Sequence, residues 1–237
     1  TLKMKKILSL AFMALAMSGM AQVQSHVLRV AQFNQVKLTE GIRVEVCINP
    51  DSAGMVMFNA PIAIVNSIEF EVNKKGRLQV KVDREVAPEG TKMPTVKVYT
   101  RSLTQVENTG DSTLTVSGLW KYRDTAKLRV SGNGKIVAYD IEADKVEAQI
   151  ITGGGKILIG GKCTSASLTN LGVGEIQADK LHATDVSAKV VGTGTIGCWV
   201  DGGKLKVIGA GGGNLYYKGS PGDFDVQKIG TLKVQPM

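Results

Sequence analysis

The sequence predicts an all-β fold: a β-solenoid of stacked coils of about 20 residues, preceded by a β-rich N-terminal region. Two observations predict it. A short glycine motif recurs at a near-constant spacing in the second half of the chain, and the segments between its copies alternate apolar and polar residues. Alternation of this kind is typical of strands with one buried face, and no segment after residue 21 has a convincing helical period.

The motif consists of two glycines separated by one residue and followed two positions later by Ile or Leu. The first glycines of its five copies are 21, 19, 20 and 19 residues apart. A weaker copy, "GDSTL" at 110–114, precedes them, and a decayed copy, "KIGTL" at 228–232, follows. The five copies are "GNGKI" (132–136), "GGGKI" (153–157), "GVGEI" (172–176), "GTGTI" (192–196) and "GGGNL" (211–215).

A unit of about 20 residues cannot bury its own apolar face, whereas stacked units can. Each strand then hydrogen-bonds to the equivalent strands of the neighbouring units, about 4.8 Å away. We therefore expect the motif glycines to form the corners of the coils, where a positive φ or close packing excludes a side chain. The predicted corner glycines are Gly132, Gly134, Gly153, Gly155, Gly172, Gly174, Gly192, Gly194, Gly211 and Gly213.

Read alone, "ITGGGKILIGGKC" (151–163) suggests a phosphate-binding loop. The pattern fails, because Lys156 stands where the first glycine should be, Cys163 replaces Ser or Thr, and strand rather than helix follows. "GTGTIG" (192–197) matches a dinucleotide-binding pattern, but it also leads into strand. A calcium-binding glycine repeat needs Asp after its glycines. That position holds Lys135, Lys156, Glu175, Thr195 and Asn214, so no cofactor or metal is predicted.

Residues 1–21 are predicted to be a signal peptide. Three lysines precede an apolar stretch at 7–17 that is too short to span a bilayer, and small residues allow cleavage after Ala21. A buried N-terminal helix is the alternative. Cleavage would lower the formal net charge from +8 to +5, since three lysines and no acid are lost (8 − 3). We expect an exported protein, periplasmic, surface-exposed or secreted, without a membrane span after cleavage.

The remaining charge is spread along the chain, so nucleic acid is not a predicted partner. Lys135, Lys156 and Lys218 could line a face for an acidic ligand, although a solvated surface explains them equally well. Three cysteines cannot all pair, and Cys47, Cys163 and Cys198 are predicted to be small apolar core residues.

The N-terminal region, residues 22–105, alternates as strands do in segments such as "GIRVEVCI" and "RLQVKV". "NKKG" (73–76) predicts the turn of a hairpin between "SIEFEV" and "RLQVKV". No 20-residue period is visible before about residue 105. We place a soft boundary there and assign 106–237 to the repeat region, with one continuous body as the alternative.

The histidines do not indicate catalysis or metal binding. His26 and His182 are the only two, and they lack the spacing of metal ligands. His182 has Asp179 and Asp185 nearby, but no nucleophile motif supports a Ser-His-Asp site. The sequence therefore predicts a non-enzymatic protein.

Aromatic residues are the candidate ligand surface, because their rings can stack on sugars. The alternative is that they cap the core. The third residues after the motif Ile or Leu should form one column along the coils, with two aromatic members three coils, or about 14 Å, apart. That column contains Tyr139, Gly160, Asp179, Trp199 and Lys218. The candidate ligand-surface residues are Trp120, Tyr122, Tyr139, Trp199, Tyr216 and Tyr217.

Several segments together resemble a known family. Phe33 is followed by "GIRVEV" and "GRLQVKV", then by a ladder of motifs such as "SGNGKI", and the last regular coil ends in "YYKGSP" (216–221). This pattern is similar to the autotransporter-adhesin head domain, the GIN domain, of exported proteins of Bacteroidetes-type bacteria. The resemblance implies an all-β, coil-stacked fold, an envelope location and an adhesin role, with no catalytic residues.

The favoured function is therefore an exported, adhesin-like binding module whose rigid solenoid surface meets a glycan or a protein. The first alternative is a structural module that self-associates through an open coil end, since such an end exposes strand edges. The second is a polysaccharide-active enzyme, which would need a cleft with two carboxylates about 5–10 Å apart.

Overall fold

The computed structural model describes residues 23–39, 41–87, 90 and 92–237. The predicted signal peptide, 1–21, lies outside the described residues. Within them the protein is almost entirely β, with about seven stacked turns of about 20 residues, which confirms the predicted solenoid. None of the described helices is long and apolar enough to cross a membrane.

Nine short strands, one helical turn at Pro50–Ser52 and one short helix precede the regular coils. They are β1 (Gln24–Arg29), β2 (Gln35–Leu38), β3 (Arg43–Ile48), β4 (Met55–Ala60), α1 (Ile62–Val65), β5 (Ile68–Val72), β6 (Arg77–Val82), β7 (Thr95–Thr100), β8 (Gln105–Asn108) and β9 (Thr113–Ser117). Nine further strands form the coils. They are β10 (Trp120–Ser131), β11 (Lys135–Thr152), β12 (Lys156–Asn170), β13 (Glu175–Gly192), β14 (Thr195–Asp201), β15 (Lys204–Gly211), β16 (Asn214–Ser220), β17 (Asp223–Gly230) and β18 (Lys233–Pro236).

Each regular coil contributes to three parallel ladders. In β11, residues 135–138 pair with 156–159 of β12, residues 141–143 with 161–163, and residues 145–150 with 165–170. We call these ladders face 1, face 2 and face 3, in chain order. A register shift separates face 1 from face 2, and a glycine corner leads from face 3 to face 1 of the next coil.

The two motif glycines serve different purposes at the corner. The first has a positive φ in four of the five copies, as at Gly153 (79°). The second leaves no room for a Cβ, because the residue that ends face 3 of the preceding coil packs under it. These contacts join Gly134 to Asn108, Gly155 to Val130, Gly174 to Ile150, Gly194 to Asn170 and Gly213 to Val190.

The N-terminal strands continue the same stack. In face 3, β2 lies between β6 and β8, and in face 1, β3 lies between β7 and β9; all four pairings are parallel. The ladders therefore run without a break across residue 105. Beyond them, β5 pairs antiparallel with β6, and β4 lies antiparallel between β1 and β7. The turn at 73–76 joins β5 to β6, as predicted, with the Gly76 N–H donating to the Asn73 carbonyl at 3.0 Å.

Inward-facing aliphatic side chains stack from coil to coil to form the core. The motif positions illustrate this, since all of them are fully buried and in register: Ile136, Ile157, Ile176, Ile196 and Leu215. Each such side chain contributes about 1.5–3 kcal/mol on burial. Stability in this fold thus comes from contacts between neighbouring coils rather than within one coil.

The three cysteines are all free thiols, but they do not share one environment. Cys198 is buried, and Cys163 packs partly buried against the core. Cys47 lies on the outward side of β3, with its Sγ 3.7 Å from the Ser117 hydroxyl. The prediction that all three are core residues is therefore wrong for Cys47, because its position in the strand alternation points away from the core.

Candidate functional site

A row of outward-facing side chains crosses face 2 from one coil to the next. Its members are in register in consecutive coils, so about 4.8 Å separates each from its neighbour. Because the backbone ladder fixes their order and spacing, the row is a rigid surface of defined chemistry. We call it the face 2 row: Lys121, Glu142, Lys162, His182, Trp199 and Lys218.

Trp199 is the centre of this row. The His182 ring packs against it from the preceding coil, with centroids 4.0 Å apart and an interplanar angle of 36°. Lys218, from the following coil, has its Nζ 6.0 Å from the ring centroid. Asp201 holds both rings, since its Oδ1 accepts from Trp199 Nε1 at 2.7 Å and its Oδ2 lies 3.1 Å from His182 Nδ1.

This packing decides how Trp199 can meet a ligand. His182 and Lys218 flank the indole from the two neighbouring coils, so a sugar could stack on a ring face only by displacing one of them. His182 and Asp201 are 46% and 49% exposed in their side chains. The accessible chemistry is therefore the indole edge together with an imidazole, a carboxylate and an ammonium group, which suits hydrogen bonding to a polar partner.

The charges around Trp199 are balanced. Lys218 Nζ lies 2.9 Å from Asp179 Oδ2, and Glu142 contacts Lys121 at 3.2 Å and Lys162 at 3.6 Å. The hydrogen bond from Lys121 holds the pKa of Glu142 below its ordinary value. A catalytic acid needs a raised pKa, so Glu142 does not suit that role.

The predicted column from Tyr139 to Lys218 is broken by register shifts. Gly160 pairs with Lys180, and Trp199 pairs with His182 rather than with Asp179. Only Trp199 and Lys218 are in register as expected. The expectation was wrong because counting from the motif assumes equal spacing between face 1 and face 2, whereas bulges add residues there in some coils.

The predicted aromatic surface residues occupy different environments. Trp120 is 1% exposed and donates its Nε1–H to the Leu103 carbonyl at 2.8 Å, so it is a core residue and its assignment to the ligand surface is wrong. Tyr122 and Tyr217 pack, partly buried, against the core. Tyr216 is partly buried on face 1.

Tyr139 is the exposed member of the predicted set, at 40%. Its ring packs beside Gly160, where a Cβ would come within 3.1 Å of Tyr139 Cδ1. Lys180 Nζ lies 5.2 Å from the ring centroid. Tyr139 and Trp199 therefore share one feature, a lysine ammonium over the ring, but they are not joined in one row.

The lysines proposed for an acidic ligand are not brought together. Lys135 and Lys156 are paired on face 1, whereas Lys218 belongs to face 2. Lys156 Nζ lies 3.1 Å from Glu175 Oε2, and Lys218 is paired with Asp179. Carboxylates thus neutralise Lys156 and Lys218.

The acids near His182 in the sequence are not its partners in the structure. Asp185 accepts the Lys204 backbone N–H at 2.8 Å, while Asp201 contacts the imidazole. Throughout the described ranges, no group of three or more His, Cys, Asp or Glu residues could hold a metal ion. Sequence reasoning missed Asp201, although its position two residues after Trp199 places both side chains on the same side of one strand.

A family model described as "Putative auto-transporter adhesin, head GIN domain" matches residues 32–221. A crystal structure of a putative adhesin from Bacteroides fragilis is similar, with 21% identity, a TM-score of 0.78, and coverage of 91% of this chain and 97% of that one. A putative adhesin from Parabacteroides merdae (19%, 0.68) and a putative lipid binding protein from Parabacteroides distasonis (16%, 0.70) each align over 91% of this chain and 96% of their own. No curated protein matches the chain.

Proposed function

The chain belongs to the family of autotransporter-adhesin head GIN domains, and from this premise we propose that it is an exported, non-enzymatic envelope protein that presents a rigid β-solenoid surface to a glycan or protein partner. The observation that carries the proposal is the Trp199 cluster of the face 2 row, in which a half-buried indole is held beside exposed charged and polar groups. Groups that are already ordered lose little conformational entropy on binding.

The proposed contact surface is the face 2 row around Trp199. Asp201 can accept hydrogen bonds from sugar hydroxyl or peptide N–H groups, and Lys218 can donate them. Because the backbone ladder fixes the spacing between His182, Trp199 and Lys218, a long partner could make several weak contacts at once. Tryptophan is also enriched among residues that dominate binding energy in protein interfaces.

The binding test compares the unmodified protein with Trp199→Ala and Asp201→Asn on glycan arrays and on envelope-protein extracts. We expect both substitutions to weaken binding at least about tenfold, which corresponds to about 1.4 kcal/mol. Tyr216→Ala is the matched control, since it removes an aromatic ring on face 1, away from the row. Equal binding by the protein and Trp199→Ala would contradict the proposed surface.

We propose further that export removes residues 1–21. The apolar stretch and the small residues before position 22 support this assignment. Edman sequencing of the protein recovered from the cell envelope should begin at Gln22. Recovery from the cytoplasm with the N-terminal residues intact would contradict export.

A further inference from the structure

The two ends of the solenoid differ in how their strand edges are covered. At the N-terminal end, β5 and the antiparallel pair β1–β4 lie outside the parallel ladders. At the other end, β17 pairs with β15 through one edge only, and β18 pairs with β16 in the same way. No other strand of the described chain pairs with the outer edges of β17 and β18. A free strand edge is a template for pairing with another chain.

The last rung also exposes side chains at core-facing positions. Phe224 and Val226 are in register with Leu205 and Val207, which are both fully buried. Phe224 is 45% exposed and Val226 is 37% exposed, because nothing packs on their outer side. These two side chains have the pattern of an interior strand without the neighbour that an interior strand has.

We propose that β17 pairs antiparallel with β17 of a second copy of this chain, about a two-fold axis at Val226. Head-to-tail stacking would instead bring β17 to the N-terminal end, where the antiparallel strands already cover the ladders. A two-fold contact uses the same edge on both copies and closes after two. The assembly is therefore a discrete dimer rather than a filament.

The side chains of β17 select the register. A two-fold axis perpendicular to the sheet keeps core-facing residues opposite core-facing residues. A register centred on Asp225 would place two carboxylates opposite each other, which is destabilising. A register centred on Val226 places Val226 opposite itself, Asp225 opposite Gln227, and Phe224 opposite Lys228. In this register the carboxylate meets an amide, and the ammonium group meets an aromatic ring.

Pairing of this kind joins face 3 of the two copies into one continuous sheet and satisfies the free backbone groups of β17. It also gives the dimer two copies of the face 2 row. Two linked sites raise the avidity for a repetitive partner without any new contact. The dimer itself does not rest on the proposed ligand site, and either can fail alone.

Cysteine cross-linking tests both the contact and its register. In the proposed dimer, Val226 lies directly opposite its own copy, with Cα atoms about 4.5–5.5 Å apart, which is within the range for a disulfide. Ile229→Cys is the matched control, because Ile229 is more exposed, at 82%, yet it would lie opposite residue 223. Its own copy is then about 20 Å away along the strand. Burial raises the pKa of the Cys163 and Cys198 thiols to about 12, which keeps their background reaction low.

We expect light scattering to give twice the mass of one chain, and Val226→Cys to cross-link at least about tenfold faster than Ile229→Cys under mild oxidation. Val226→Lys should yield a monomer with an unchanged β circular dichroism spectrum, because two ammonium groups would meet at the axis. Val173→Lys, at an exposed corner position, should remain a dimer. A monomeric unmodified protein at about 100 μM, equal cross-linking of the two cysteine variants, or a dimer that survives Val226→Lys would each overturn the proposal.

Discussion

Replacing Gly194 by alanine should force the Asn170 side chain out of the corner that it now stabilises. Asn170 is fully buried, and its amide donates to the Gly174 carbonyl at 2.7 Å and to the Thr195 carbonyl at 3.3 Å. Its Oδ1 accepts the Gly172 N–H at 3.1 Å. A Cβ at position 194 would lie 2.7 Å from Asn170 Cγ, so the amide would have to move.

The cost follows from these contacts. Each of the three hydrogen bonds contributes about 1 kcal/mol net, so Gly194→Ala should lower the free energy of unfolding by about 3 kcal/mol. Asn170→Ala should cost a similar amount, since it removes the same three bonds. The double variant should also lose about 3 kcal/mol rather than about 6, because the new methyl group occupies the space that the amide leaves.

Urea unfolding followed by circular dichroism measures these differences, and each single variant should melt about 6–12 °C lower. Gly154→Ala is the control, since a Cβ there comes no closer than 3.5 Å to any neighbour and the backbone φ is not positive. We expect its effect to stay within about 0.5 kcal/mol. A neutral Gly194→Ala variant, or additive losses in the double variant, would refute the idea that the second motif glycine makes room for the preceding coil.

Three further predictions concern other parts of the molecule. Because burial raises the pKa of Cys163 and Cys198 to about 12, iodoacetamide at pH 8 should label them only after unfolding; rapid labelling of the native protein would contradict their burial. The Ser117 hydroxyl lowers the pKa of Glu45 below 4.5, so the stabilising effect of this carboxylate is complete above that pH and is lost as the pH falls through the lower folded-state value. The stability difference between the protein and Glu45→Gln should therefore shrink on acidification, by about 1 kcal/mol in total, and a constant difference would be inconsistent. Trp120→Phe should cost about 1–2 kcal/mol through its lost buried hydrogen bond, and a neutral result in thermal melts would contradict a core role.

The repeat made most of the fold predictable. Five glycine motifs at near-equal spacing identified the corners, and alternation between them identified the strands. The N-terminal strands carried no visible period, because β2 and β3 each lie between two strands that are distant in sequence, as the β2–β8 pairing shows. Pairing across about 70 residues leaves no local pattern, so continuity of the ladders across residue 105 could only be left open.

The candidate site was less predictable because it depends on register shifts. Counting from the motif placed Asp179 beside Trp199, whereas the shift between Ala178 and His182 places the imidazole there instead. The same count could not distinguish Trp120 from Trp199. Burial separates them, since Trp120 lies under face 2 with its Nε1 bonded to a backbone carbonyl, while Trp199 points outward.

The position of the bulges explains why the face 2 row combines such different side chains. Lys162 and His182 are 20 residues apart, but only 17 residues separate His182 from Trp199, and the shift within β13 absorbs the difference. The corners tolerate no such change, because each second glycine must accommodate the coil before it. Variation in coil length is therefore confined to segments away from the motif, and the boundary of face 2 is one of them. A binding surface can change at this boundary while the corners keep the stack in register.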